Sequence, residues 1–143
     1  MDENPSEHFV GKVASKAIIT RDDEVLIAFC HTRNENKLWD IPGGRVHHGE
    51  KPEGAVVREV MEELGVSIQV NSIILMEQFL HSEGPTLLIA YEAELTNPEM
   101  PFGLPTDEID EVRWITKDQL SEQEIFPVCL LALETYFKRK TAT

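Results

Sequence analysis

Three glutamates, Glu59, Glu62 and Glu63, stand within five consecutive residues. At about 100° per residue a helix turns all three into one arc of about 100°. Like charges at such spacings repel and weaken a helix, so something positive is expected to offset them. A hard divalent cation fits, because Mg²⁺ takes oxygen ligands and is usually held by a few carboxylates together with substrate phosphates. Arg58, one turn before Glu62, is close enough to pair with it and hold it in one rotamer. Taken alone, the same acids also fit a solvated acidic helix face.

The acids need a helix to align them, and the surrounding residues supply one. Pro52 suits a first helical turn, the stretch to Leu64 is rich in helix formers, and Gly65 is an apt C-terminal stop. Val56, Val57, Val60, Met61 and Leu64 gather on the side away from the carboxylates, an apolar stripe for burial against a sheet. Before the helix, "LWDI" reads as a short strand running into Pro42-Gly43-Gly44, where glycines let the backbone approach a ligand.

Upstream, "VASKAIIT" and "VLIAFC" flank the polar "RDDE" and predict a hairpin beginning near Val13. Downstream, "SIQV", "SIILMEQFL", "TLLIAYEAEL" and "EVRWI" read as strands. "TKDQL" can start a short helix capped by Thr116, and Pro127 can open a terminal one. Strands with intervening and terminal helices predict a mixed α/β layered domain.

At 143 residues the chain fits one domain spanning 1–143, with residues 1–8 as a loose tail. Twenty-six acidic against 13 basic residues give a net charge of −13, which argues against a nucleic-acid partner, since backbone attraction needs clustered Lys and Arg. A phosphate-bearing ligand would need a local remedy, for which divalent metal is the obvious source. No apolar run approaches membrane-spanning length, and the acidic start "MDENPSEHF" lacks a secretory pattern, so no membrane partner and a cytoplasmic setting are expected. Cys30 and Cys129, in apolar surroundings, suit buried thiols better than a bridge or a metal site.

Residues 44–66 match the pattern G-x5-E-x7-R-E-U-x-E-E-x-G-U, where U is bulky and apolar. Gly44, Glu50, Arg58, Glu59, Val60, Glu62, Glu63, Gly65 and Val66 fill every fixed position. With each fixed residue used at roughly 6%, a chance full match has odds on the order of one in a hundred million. On these residues the chain resembles the Nudix hydrolases. The flanks are similar too, "LWDIPGG" before the box and "DEIDEVRWI" late in the chain.

The resemblance implies an α/β/α sandwich with a mixed sheet, its box forming a loop-helix-loop that holds Mg²⁺ or Mn²⁺. The implied reaction is hydrolysis of a nucleoside diphosphate linked to another group. By the same resemblance Glu59, Glu62, Glu63 and the Gly43 carbonyl are expected to bind metal, and Glu50 and Arg58 to orient the helix carboxylates. Opening a diphosphate also needs a group to take the proton of the attacking water. The resemblance implies a base from either the box or the late loop, making Glu62 the first candidate and Glu108 the second, with Glu111 in reserve, although "DEIDE" also fits a solvated acidic turn.

Substrate recognition is harder to read. Arg33, Lys37, Arg45 and Lys51 flank the box and are candidates for phosphate contact, though loop cations are commonly just solvated. His47 and His48 suit solvation or substrate contact better than metal among oxygen ligands. Trp39, Phe79, Phe102 and Trp114 could stack a base and equally fit core or rim packing. Past the box, His81 and Ser82 stand where the family's ADP-ribose group carries a proline, and Pro85 is displaced. The tyrosine of the diadenosine polyphosphate group and the extended signature of the NADH group are absent. A general nucleotide pyrophosphohydrolase is therefore the expectation, acting on a nucleotide or nucleotide derivative, with a homodimer left open. The rival is a catalytically idle module that senses a nucleotide. Such a module can lose box glutamates, and none is lost here.

Overall fold

The computed structural model describes residues 7–32 and 37–141. Six strands form one sheet: β1 (Lys12–Arg21), β2 (Glu24–Phe29), β3 (Gly43–Arg45), β4 (Ile68–His81), β5 (Gly84–Leu95) and β6 (Glu111–Thr116). Their order is β4-β5-β1-β2-β6, with β3 paired to β1 beside that path. β1 and β5 run parallel and the other pairs antiparallel, so the sheet is mixed. Two helices, α1 (Pro52–Leu64) and α2 (Pro127–Thr141), complete the fold.

Side chains of a strand alternate between faces, and the two faces carry different helices. Ala17, Ile19, Leu26, Ala28, Ile89 and Ala93 pack with Val56, Val60 and Leu64 of α1. On the opposite face Ala14, Ile18, Val25, Ile27 and Leu88 pack with Val128, Cys129, Ala132 and Leu133 of α2. The result is the predicted α/β/α sandwich. Pro52 opens α1, and Gly65 closes it in the left-handed region at φ 69°. Met61 departs from the expected apolar stripe: it is 48% exposed, at the margin of an arc that Val56, Val60 and Leu64 already fill.

β1 pairs with β2 only at Thr20 and Arg21, next to the turn, where Asp22 adopts a positive φ of 55°. Beyond that point the two strands diverge. β1 takes β3 through Ala14, Ser15 and Lys16, while β2 takes Asp40 through Ala28. The sheet is thus split at the end where the Pro42-Gly43-Gly44 turn enters.

Two local expectations need correction. "LWDI" is not a strand: Trp39 and Asp40 make isolated bridges to Ile125 and Ala28, and pairing stops there. The Ile41 amide is taken by Asp40 Oδ1 at 2.8 Å and Pro42 has no amide to give, so no ladder can continue until Gly43. "SIQV" and "SIILMEQFL" form one strand, β4, because register shifts around Ile73 absorb the irregularity that the polar Asn71 and Ser72 suggest. "TKDQL" opens the expected short helix, a 3-10 one over Lys117–Glu122 with Thr116 as its N-cap, the Thr116 amide donating to Gln119 Oε1 at 2.9 Å. Among the described residues no helix is long and apolar enough to cross a membrane. Cys30 and Cys129 are both free and buried.

Candidate active site

Helix α1 presents its carboxylates toward the split end of the sheet. One oxygen each from Glu59, Glu62 and Glu108 lie within 4.8 Å of one another. Glu108 comes from the loop before β6, far along the chain, so the helix supplies two acids of the group and the loop the third. Glu63 takes a different direction. It is buried, at 8% exposure, and its Oε1 accepts the Gly43 amide at 2.8 Å. Burial pushes its carboxyl up to about 8; Glu59 and Glu108 add to that, while Lys16 and the Gly43 amide oppose it. Gly43, Gly44, Arg45, Glu59, Glu63 and Glu108 line one open depression.

Arg58 is the hub of this arrangement. Its guanidinium donates to Glu50 at 2.7 and 3.0 Å, to Glu59 at 3.0 Å, to Glu62 at 3.3 Å and to the Arg45 carbonyl at 3.1 Å. Glu50 in turn accepts the His47 amide at 2.9 Å. The hydrogen bonds from Arg58 pull the Glu50 carboxyl down to about 2, so it stays ionised across the working range. A planar fork with five donors serves several carboxylates at once in a fixed, bidentate geometry that the three rotating donors of a lysine do not reproduce.

The glycines bring the entering turn close to both strand and helix. A Cβ on Gly43, at φ 143°, would meet the Ser15 carbonyl oxygen at 2.2 Å; one on Gly44 would meet the Glu59 carboxyl at 2.5 Å. The backbone can therefore lie against β1 and the acids only where no side chain intervenes. Hard oxygen donors converge in a glycine-floored depression with one arginine as their internal counter-charge. That donor set fits a divalent cation such as Mg²⁺ or Mn²⁺.

A cavity of about 360 Å³ opens beside the acids at the split in the sheet, with Lys16, Trp39, Asp40, Glu63, Glu108 and Phe126 among its walls. Its polar anchor is a pair absent from the sequence expectations. Lys16 Nζ donates to Asp40 Oδ1 at 2.8 Å, and that same oxygen accepts the Cys129 thiol at 3.0 Å. Burial works against the charge on both groups, yet their mutual attraction holds the Lys16 ammonium above and the Asp40 carboxyl below the ordinary range. A second, smaller cavity adjoins it, walled by Arg45, Phe79, His81 and Phe126; the His81 and Phe126 rings are nearly parallel. Lys16 carried a readable signal, since it shares the strand face of the apolar Ala14 and Ile18. Asp40 and Phe126 carried none, because both owe their place to nonlocal packing.

The remaining candidates disperse. Arg45 lines the acidic depression but its guanidinium pairs with Glu83. Lys37, His47, His48 and Lys51 are exposed, and Arg33 lies outside the described residues. Glu111 pairs with Arg113 at 3.2 Å and faces His31 at 3.5 Å. Trp39 is a buried wall of the larger cavity, under the Arg113 guanidinium. Phe102 and Trp114 pack against the α1 face and line neither cavity.

The NUDIX domain family profile matches residues 12–130. A MutT-like protein of Streptomyces ambofaciens is 28% identical over 121 residues, 83% of this chain and 74% of its own length. The NAD-capped RNA hydrolase NudC of Escherichia coli is 33% identical over 102 residues, 71% of this chain, and the match spans only 38% of NudC. Among solved structures, the E. coli ORF135 protein superposes with a TM-score of 0.76 at 24% identity, covering 92% of this chain and 91% of that one.

Proposed function

The chain belongs to the Nudix family, and on that premise we propose that it hydrolyses a diphosphate linkage in a nucleoside triphosphate or a nucleoside diphosphate linked to another group. The observation carrying this reading is the convergence of Glu59, Glu62 and Glu108 within 4.8 Å beside a cavity large enough for part of a nucleotide. When bound there, Mg²⁺ or Mn²⁺ would neutralise phosphate oxygens and make the phosphorus more open to attack.

The chain's own residues divide the remaining work. Glu59, Glu62 and Glu108 would hold the cation, and Glu63 and Gly43 line the same depression. Arg58 and Glu50 keep Glu59 and Glu62 aimed toward the acidic group. Glu62, the most exposed acid of the α1 group at 51% of its side chain, takes the proton of the attacking water, and Glu108 is the second choice for that role. Arg45, at the end of β3, and Lys37, in the loop that precedes Trp39, can meet the phosphates. The nucleoside occupies the cavity walled by Lys16, Asp40 and Phe126. The substrate is a free nucleotide or derivative, in keeping with the net charge of −13.

A panel of nucleoside triphosphates, ADP-ribose, dinucleoside polyphosphates and sugar nucleotides, assayed for phosphate products with Mg²⁺ and with Mn²⁺, tests the reading. Metal-dependent turnover of at least one class is expected. No turnover of any class with either ion would overturn it in favour of an idle nucleotide-sensing module.

A further inference from the structure

The loop carrying Glu108 is gripped on both flanks, and neither grip uses Glu108 itself. On the first flank, the Thr106 hydroxyl donates to the Glu63 carbonyl at 2.8 Å and accepts the Ile109 amide at 3.1 Å. The Thr106 amide donates to the Ile109 carbonyl at 2.8 Å, which closes the turn that has Glu108 near its crown. The Glu63 carbonyl is one of the last four of α1, which a helix cannot satisfy internally. Nearby, the Gly103 amide caps the Leu64 carbonyl at 2.8 Å. The end of the acidic helix is therefore finished by the very loop that delivers the third acid.

On the second flank the Asp110 amide donates to the Phe29 carbonyl at 3.0 Å. Its carboxylate accepts the His31 amide at 2.9 Å through Oδ2 and lies 2.7 Å from His31 Nδ1 through Oδ1. The turn is thus tied to α1 on one side and to the end of β2 on the other. Both elements contribute walls to the cavity, α1 through Glu63 and β2 through Ala28 and Phe29.

We propose that Thr106 and Asp110 are positioning residues that hold Glu108 at working distance from Glu59 and Glu62. A loop acid free to swing would face repulsion from two helix carboxylates and would move away in the absence of a cation. Two tethers of fixed length keep it in place before the ion arrives, so less ordering remains when the ion binds. This role rests on the metal reading given above and goes beyond it, because neither residue touches the ion or the reacting atoms.

The test is direct Mn²⁺ binding, measured by water-proton relaxation, alongside steady-state kinetics on the same proteins. Thr106→Val keeps the shape and deletes the hydroxyl; it is expected to weaken Mn²⁺ binding and lower kcat by roughly 10- to 100-fold, with the nucleotide KM unchanged. Thr106→Ser, which restores the hydroxyl, recovers both. Asp110→Ala removes the carboxylate contacts to His31 while leaving the amide bond to Phe29, and it shows the same paired loss, so a folding defect in Thr106→Val does not end the test. Folded variants that bind Mn²⁺ as tightly as the wild type and keep its kcat would overturn the positioning role alone. An equal loss in Thr106→Ser and Thr106→Val would overturn it too, since the hydroxyl would then not matter. Wild-type protein that binds no Mn²⁺ would overturn the metal reading beneath it.

Discussion

Arg58 grips Glu50 with two hydrogen bonds, 2.7 and 3.0 Å long, across the turn that separates the box entrance from the middle of α1. The same guanidinium reaches Glu59 and Glu62, so the Glu50 contact sets where the other two acids can point. Arg58→Lys keeps the charge and loses the fork. It is expected to lower kcat by roughly 10- to 100-fold, as loss of groups that orient metal ligands commonly does. The check is kcat as a function of Mg²⁺ concentration; wild-type turnover at every concentration would remove Arg58 from this role.

The two adjacent glycines should respond differently to alanine. At Gly43 the new Cβ meets the backbone of β1 in a strained φ, so Gly43→Ala is expected to cost roughly 2 kcal/mol of stability or more. At Gly44 its nearest neighbours are the movable end of Glu59, so Gly44→Ala should fold well and lose activity. Urea denaturation paired with turnover separates the two. Equal stability losses would contradict the assignment.

Glu63 predicts a pH dependence of metal-free stability. In the unfolded chain its carboxyl ionises near an ordinary value of about 4.3, whereas burial in the fold holds the proton until about 8. Between those values the folded state binds more protons, so stability falls as pH rises through that window, by on the order of a few kcal/mol at most. Glu63→Gln should flatten this slope. Denaturation midpoints at about pH 5 and about pH 8, for both proteins, decide it; an unchanged slope in the variant would rule Glu63 out as the source.

Lys16 and Asp40 make a charge pair in the wall of the nucleoside cavity. Lys16→Met leaves the carboxylate without its partner and is expected to cost about 1–3 kcal/mol, less than a fully buried pair because Asp40 is partly exposed. The nucleotide KM should rise with it, since the cavity loses its cation. A KM that stays constant would place the nucleoside elsewhere.

Much of this fold is written locally. Glu59, Glu62, Arg58 and Gly65 announce α1 because helix period, charge spacing and a C-terminal glycine agree, and α1 appears between the predicted ends. Periodicity also reveals the hairpin and β6. It fails at "LWDI", whose apolar pattern suits a strand while Pro42 and the Asp40 side chain remove the amides a ladder needs. Glu63 shows the other limit. On a helical wheel it belongs with Glu59 and Glu62, but 100° of arc spans both the solvent margin and the sheet margin, and packing against Gly43 decides which it faces. The cavity is least legible, because Lys16, Asp40, His81 and Phe126 come from distant segments that meet only where β1 and β2 diverge.

The most direct test of the central claim is a crystal grown with Mn²⁺ and a non-hydrolysable nucleotide, with the ion located by anomalous scattering. A manganese peak coordinated by Glu59, Glu62 and Glu108, with the nucleotide's phosphates beside it and its nucleoside toward Lys16 and Asp40, is the predicted result. Bound nucleotide with no manganese at those three carboxylates, or manganese held elsewhere, would contradict it.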